Sequence, residues 1–405
     1  MTDAPVQGDS LLRQTGLPYF VIAFIARLPF AMMVVGVLTL VVSARDSVAL
    51  GGITSAAVGL GTACFGPFLG AAADRFGQRP VLLIVGVANG VLLALFAAIT
   101  YSSLPDAVML TSAFLIGATA PQVAPLSRSR LVTIIAERIT ASRRPQVFNS
   151  TMAYESAADE TVFVIGPFVV GVLASWIAPW APLVGAAALT VVFVGVFALH
   201  PTAPPRQTRA HADARGAVSS LFRPALVVVV VGILGVGLFF GSMLTSLTSF
   251  MDDRGVPEQA GLLYGVMGIG SAAFALGVAL FPERFTRAWR WLLFGAVILG
   301  GTLTLPLVHS VAAMALALGV IGIGIGPTLV TQYSFGAERS PAGRSATVMT
   351  ILGSAVIVGQ SLGAAITGEV AQRLGTDAAV LLPAASAAIV VLTAVVNVFL
   401  SRPAR

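Results

Sequence analysis

The sequence predicts an all-α integral membrane protein, twelve transmembrane helices arranged as two pseudo-symmetric six-helix bundles. Three observations carry this. Of 405 residues, 57% are hydrophobic and only 10% are charged, whereas a soluble domain carries about 25% charged residues. The apolar residues gather into twelve runs, each of about the 20 residues that a helix needs to cross a bilayer core. The loops after the second and eighth runs also echo each other, Asp74-Arg75-Phe76 against Glu283-Arg284-Phe285, an offset of 209 residues (283 − 74). A membrane β-barrel would alternate apolar and polar residues over segments of about 10. Stretches such as LVVVVVGILGVGLFFG exclude it.

In chain order the runs cover residues 17–42, 50–73, 80–101, 107–126, 147–176 and 179–199, then 221–250, 260–281, 289–308, 311–334, 345–370 and 378–400. The polar opening MTDAPVQGDSLLRQTG precedes a run too long for a signal-peptide core, so that run is expected to stay as the first helix. Six runs lie on each side of HPTAPPRQTRAHADARGAVSS, which has no apolar periodicity and is rich in Pro, Arg and small residues. The expected organisation is one bundle over residues 1–200, a linker over 201–220 and a second bundle over 221–405. The fourth and tenth runs add a second echo, LIGATAP ending at Pro121 and IGIGIGP ending at Pro327, offset by 206 (327 − 121).

All 23 basic residues are arginines and most lie between the runs, so the excess over 17 acidic residues reads as a topology signal. A nucleic-acid-binding face is not implied. Counting alternate loops places 19 arginines on one side and three on the other, Arg45, Arg254 and Arg373, while Arg27 falls inside the first run. The positive-inside rule then puts both termini and the linker in the cytoplasm. The single cysteine, Cys64, and three scattered histidines offer no disulfide framework or metal cluster, and no cofactor is expected. No nucleophile-and-base pair or phosphate loop appears, so the chain does not read as an enzyme.

The loop GAAADRFGQRP places Gly70, Asp74, Arg75, Gly77 and Arg79 in a fixed pattern. Gly70 permits close helix approach, and Gly77 permits a turn with positive φ. Asp74 is expected to accept hydrogen bonds from Arg75 or Arg79 and from the free amides that begin the eleventh helix near Ser345, where the helix dipole favours an anion. With the twelve runs and the duplication, this loop resembles the signature of the major facilitator superfamily: Gly, three residues, Asp-Arg, one residue, Gly, one residue, Arg or Lys. The resemblance covers nearly the whole chain. It implies a secondary active transporter working by alternating access, with this loop as a cytoplasmic gate.

In the fifth run, FVIGPFVVG places Gly166, Pro167 and Gly171. This resembles the Gly-Pro helix-5 motif of the superfamily's antiporters, with Val170 in place of the first of its paired glycines. The resemblance implies export of a small, amphipathic organic molecule across an inner or plasma membrane, with protons as the coupling ion. The implied partners are the lipid bilayer, the substrate and protons, and the implied state is a monomer. Proton-coupled or facilitated uptake and a non-transporting receptor are the alternatives. The arginine of helix 4 common in drug:proton antiporters has no counterpart in LTSAFLIGATAP.

Ionisable groups at membrane depth cost about 2.5–3.5 kcal/mol each on insertion scales, so each needs a reason. Glu155, Asp159 and Glu160 lie in the fifth run. Asp159 and Arg27 fall at similar depths, roughly 6 and 5 Å from their helix midpoints at about 1.5 Å per residue. Arg27 pairing with Asp159 or Glu160, and Glu155 meeting Arg128 or Arg130, are the expected contacts. These acids brace the bundle, carry a proton or recognise a cationic substrate directly. In the second half, Ser242, Met243, Thr245, Tyr264, Met267 and Gln360 are the candidate lining of a mainly apolar cavity, with helix packing as the alternative.

Overall fold

The structure, a computed structural model, describes residues 10–45, 47–204, 217–255, 260–282 and 284–401. Among these residues there is no β-strand, and twelve helical spans are long and apolar enough to cross a membrane. We number them α1 (Leu17–Arg45), α2 (Leu50–Phe76), α3 (Gln78–Tyr101), α4 (Asp106–Arg138), α5 (Arg144–Trp176), α6 (Ala181–Leu199), α7 (Pro224–Asp252), α8 (Leu263–Leu280), α9 (Arg287–Leu307), α10 (Val311–Glu338), α11 (Ser345–Leu374) and α12 (Thr376–Leu400). Helices are the outcome because hydrocarbon offers no water to backbone N–H and C=O groups, which must pair within the segment. Arg206, Arg209 and Arg215 of the expected linker, and Glu283 of the repeated loop, lie outside the described residues.

The chain forms two compact units. The first comprises Met1–Phe148, Thr161–Gly216 and Pro341–Ser354, and the second comprises Asn149–Glu160, Ala217–Ser340 and Ala355–Arg405. Membership therefore does not follow the linker alone: the start of α11 belongs with the first unit and a stretch of α5 with the second.

In the first unit, two runs that read as continuous helices are interrupted. α1 consists of Leu17–Ile25 and Leu28–Arg45, with Ala26 and Arg27 at the break just before Pro29. α4 consists of Asp106–Ala118 and Val123–Arg138, broken around Pro121. Proline lacks an N–H and pushes the residue before it out of the α region, which accounts for the second break. α4 also continues to Arg138, well past the predicted end at 126. The sequence Ser127-Arg128-Ser129-Arg130 ends an apolar run, but all four side chains are buried and the helix carries on. One core cluster gathers Met32, Met33, Leu40, Leu93, Phe96 and Leu183; a second gathers Tyr19, Leu126, Leu131, Phe197 and Ala346. α2 and α4 approach closely at glycine, where a Cβ added at Gly61 would lie 2.7 Å from the Ala118 nitrogen, and Thr62 Oγ1 donates to the Gly117 carbonyl at 3.2 Å.

In the second unit, α7 and α11 pack without side chains between them. A Cβ added at Gly241 would lie 2.7 Å from the Ala364 nitrogen, and one added at Gly359 would lie 2.7 Å from the Leu238 nitrogen. Both helices carry glycine four residues apart, Gly237 with Gly241 and Gly359 with Gly363, which is how membrane helices reach van der Waals contact of their backbones. The N-terminus of α10 is capped by Ser310, whose side chain accepts from the Ala313 amide at 3.2 Å.

Candidate functional site

Three sets of residues singled out from the sequence have described geometry. The first is the α2–α3 loop in the first unit. Gly77 ends α2 at φ 89° and lets the chain turn into α3 at once. One turn earlier, Asp74 caps α11: its Oδ1 accepts from the Ala346 amide at 3.1 Å, and its Oδ2 accepts from the Thr347 amide at 2.7 Å and the Thr347 hydroxyl at 2.6 Å. These are the second and third residues of α11, whose amides have no partner within the helix. The partial positive charge of a helix N-terminus adds to the attraction.

Glycine lets α2 come this close. A Cβ at Gly70 would collide with the Thr350 hydroxyl and sit 2.8 Å from the Ala346 carbonyl oxygen, and one at Gly66 would sit 2.6 Å from Ser354 Oγ. The two loop arginines turn elsewhere. Arg75 stacks on Phe76 at 5.2 Å, and Arg79 Nη2 donates to the Leu199 carbonyl at 3.4 Å. Sequence reasoning found the Asp74 contact with the amides but missed the Thr347 hydroxyl, although a threonine at the third position of a helix was visible.

The second set is the ionisable residues at membrane depth. Arg27 is 3% exposed and sits at the break in α1, where the Phe30 amide donates to its carbonyl at 3.1 Å. Glu155 is fully buried, and both carboxylate oxygens of Glu160 are shut away from solvent. Arg27 belongs to the first unit; Glu155, Asp159 and Glu160 belong to the second. Within the second unit, Glu160 lies within electrostatic reach of the Tyr264 hydroxyl.

Arg128 and Arg130, read from the sequence as loop arginines, are both buried in α4. The bonds described for Arg130 go to neutral partners. Arg130 Nε donates to Gln78 Oε1 at 3.0 Å, and its Nη1 donates to the Phe197 carbonyl at 3.1 Å and Thr202 Oγ1 at 3.2 Å. Its guanidinium also lies over the Phe197 ring at 4.1 Å. Gln78 completes the set by donating to the Leu126 carbonyl at 3.1 Å. His200 Nδ1 meets Thr202 Oγ1 at 2.9 Å, and burial, then the Arg130 charge, push its pKa below the ordinary histidine value.

The third set divides. Gly166 approaches Ala31 of α1 so closely that an added Cβ would lie 2.6 Å from the alanine methyl, whereas Gly171 faces open space. Pro167 lies inside the unbroken helix α5. Of the candidate cavity residues, Ser242, Met243 and Met267 are buried, and the Ser242 hydroxyl donates to the Phe239 carbonyl at 3.1 Å. Burial of Ser242 and Met243 goes with the glycine contacts of α7, and Met267, on α8, lies against Gly322 of α10. Thr245, Tyr264 and Gln360 are half-buried. A cavity of about 110 Å³ in the second unit lies elsewhere, beside Phe250, Arg254, Pro306, His309 and Asp377.

A sequence model of the Major Facilitator Superfamily matches residues 19–356. The chain belongs to the Major Facilitator Superfamily. Its fold is the twelve-helix fold of that superfamily, whose members are membrane transporters. The human organic anion transporter MFSD10 (TETRAN) has a similar structure, with a TM-score of 0.71 at 17% identity over 96% of this chain and 100% of that one. A bacterial homologue of the iron transporter ferroportin, in an outward-facing state, gives 0.71 at 15% identity over 95% and 98%. The E. coli fucose:proton symporter FucP gives 0.64 at 13% identity over 94% and 99%. No curated protein matches the sequence as a relative.

Proposed function

We propose that this superfamily member is a proton-coupled antiporter that exports a small, amphipathic organic molecule by alternating access. The observation that carries the coupling is the concentration of acids in one span: Glu155 is fully buried, and Glu160 has both carboxylate oxygens shut from solvent with Tyr264 within electrostatic reach. A buried carboxylate whose surroundings change with the transport state gains and loses a proton as it does so. Asp159 and Glu160 are the preferred carriers, Arg27 the charge that competes for them, and half-buried Thr245, Tyr264 and Gln360 the candidate substrate contacts. The antiporter-like Gly166-Pro167 pair supports export. The arginine count supports cytoplasmic termini and an inner or plasma membrane location, and the proposed working unit is the monomer. Asp74 on the amides of α11 acts as the cytoplasmic latch, holding that side closed when both of its oxygens are bonded.

The test is transport by the purified protein in proteoliposomes with an imposed pH gradient, screened across dyes, antibiotics, organic anions and sugars. Substrate-driven proton movement opposite to substrate supports antiport; movement in the same direction makes the protein a symporter. Neutralising the carrier acid is expected to abolish gradient-driven transport while exchange of substrate persists. Asp159→Asn and Glu160→Gln variants that both keep full gradient-driven transport would exclude these two and leave Glu155.

A further inference from the structure

Three arginines stand on the arginine-poor face of the charge count, and an arginine there runs against the topological bias, so each needs a local reason. Arg373 has an ordinary one, a pairing with Glu369 one turn away on the exposed surface of α11. The other two share a geometry. Arg45, at the C-terminal end of α1, donates from Nε to the Thr100 carbonyl at 2.9 Å and from Nη2 to the Ser102 carbonyl at 2.8 Å, both at the end of α3. Arg254, just past the end of α7, donates from Nη2 to the His309 carbonyl at 2.9 Å, just past α9, and from Nη1 to the Phe250 carbonyl at 2.6 Å. Its guanidinium also lies 3.5 Å over the Phe250 ring.

Donors and acceptors are offset by the same number of residues, 209 in each case (254 − 45 and 309 − 100). That is also the offset of the repeated Asp74 and Glu283 loops (283 − 74). The same tertiary hydrogen bond therefore exists twice, once in each unit, at repeat-equivalent positions. Both acceptors are carbonyls at or just beyond helix C-termini, which have no partner within the helix and carry partial negative charge. A guanidinium suits this role because its fork reaches two carbonyls at once, which an ammonium on a flexible stem does not do in a fixed geometry.

We propose that Arg45 and Arg254 are paired positioning residues that clamp the end of each repeat's first helix to the end of its third, so that on this face the two helix ends stay together whenever the mouth opens or closes. The clamp gives Arg45 and Arg254 their local reason on a face poor in arginine.

Hydrogen–deuterium exchange of the full-length protein in lipid nanodiscs, followed by mass spectrometry, tests this. Arg45→Gln is expected to speed amide exchange over residues 98–106 at least about tenfold and to leave residues 304–312 unchanged, because loss of charge-assisted bonds to a helix end raises local opening by that order. Arg254→Gln is expected to do the reverse. Arg45→Lys and Arg254→Lys, with charge kept and the fork lost, are expected to fall between wild type and the glutamine variants. Arg373→Gln is the control and should alter neither segment. Exchange within about twofold of wild type in both glutamine variants overturns the proposal, as does an equal rise in the Arg373→Gln control. Should a glutamine variant fail to fold, the lysine variants carry the test, and wild-type exchange in both of them overturns it.

Discussion

The two repeated loops, after α2 and after α8, start from similar sequence and are tied down by opposite chemistry. After α2, an acid in the first unit accepts from two backbone amides and a hydroxyl at the start of α11. After α8, a base in the second unit does the tying: Arg287 pairs with Glu338 at the end of α10, and its Nη2 donates to Asn149 Oδ1 at 3.1 Å. The first arrangement is held by the backbone of a helix N-terminus, which cannot rotate away. The second is held by long side chains, 23% and 43% exposed for Arg287 and Glu338. Exposed ion pairs contribute about 0–1 kcal/mol and weaken with salt, whereas hydrogen bonds to a charged group contribute about 1.5–3 kcal/mol. By the 209-residue offset Arg287 answers to Gln78 and not to Asp74, so the two ties differ in position as well as in strength.

The largest expected effect is steric. Gly70→Val should lower the apparent melting temperature in detergent clearly, because the added branches meet Thr350 and Ala346 and overpacking costs about 1–3 kcal/mol. The same change at Gly171, where nothing lies within 4 Å, should leave it unaltered. Equal melting of the two variants would show that the α2–α11 contact is looser than described. Next, Asp74→Asn removes the charge from the cap, and amides at the start of α11 should exchange about tenfold or more faster, in line with 1.5–3 kcal/mol. Unchanged protection there would remove Asp74 as the strong tie.

Arg287→Gln should lose in 1 M salt the part of its effect that comes from the pairing with Glu338, about 0–1 kcal/mol, and keep the part from the bond to Asn149, while the Asp74→Asn defect persists at that salt. A loss in Arg287→Gln that salt leaves wholly unchanged would erase the contrast between the loops. The smallest effect concerns His200, whose pKa is lowered by burial and then by Arg130. The fold favours the neutral ring, so this contribution to stability is complete above about pH 6.5 and fades as pH falls through that value toward the lowered native pKa. His200→Gln should flatten that part of the melting-temperature profile, and an unchanged slope would assign it to another group.

The fold was legible because a bilayer demands about 20 apolar residues per crossing, and twelve such runs leave little room for another architecture. The breaks in α1 and α4 were not, since Pro29 and Pro121 sit in apolar stretches that hydropathy alone reads through. Arg128 and Arg130 misled in the other direction. Charge ends a hydropathy run, but a guanidinium supplied with Gln78, Phe197 and Thr202 oxygens lets Arg130 stay inside a helix that continues. The Asp74 cap was half visible: a carboxylate at one helix end and a helix start at Ser345 are sequence features, but the Thr347 hydroxyl depends on the packed register. The sequence left open whether Ser242, Met243 and Met267 line a cavity or pack, because a membrane helix that is apolar all round does not reveal which face packs.

The Asp74 cap has a consequence for the solvent. When that carboxylate parts from α11, two amide hydrogens, one hydroxyl and two carboxylate oxygens lose their partners, and at a membrane surface only water can replace them. Release of the proposed latch is therefore a hydration step that takes up water molecules. Osmolytes excluded from the protein surface, which lower water activity, should favour the bonded state in wild type and have less effect in Asp74→Asn. For the proposed latch, osmolyte concentration is then a second handle on the bonded state, acting through one capped helix and without any ligand.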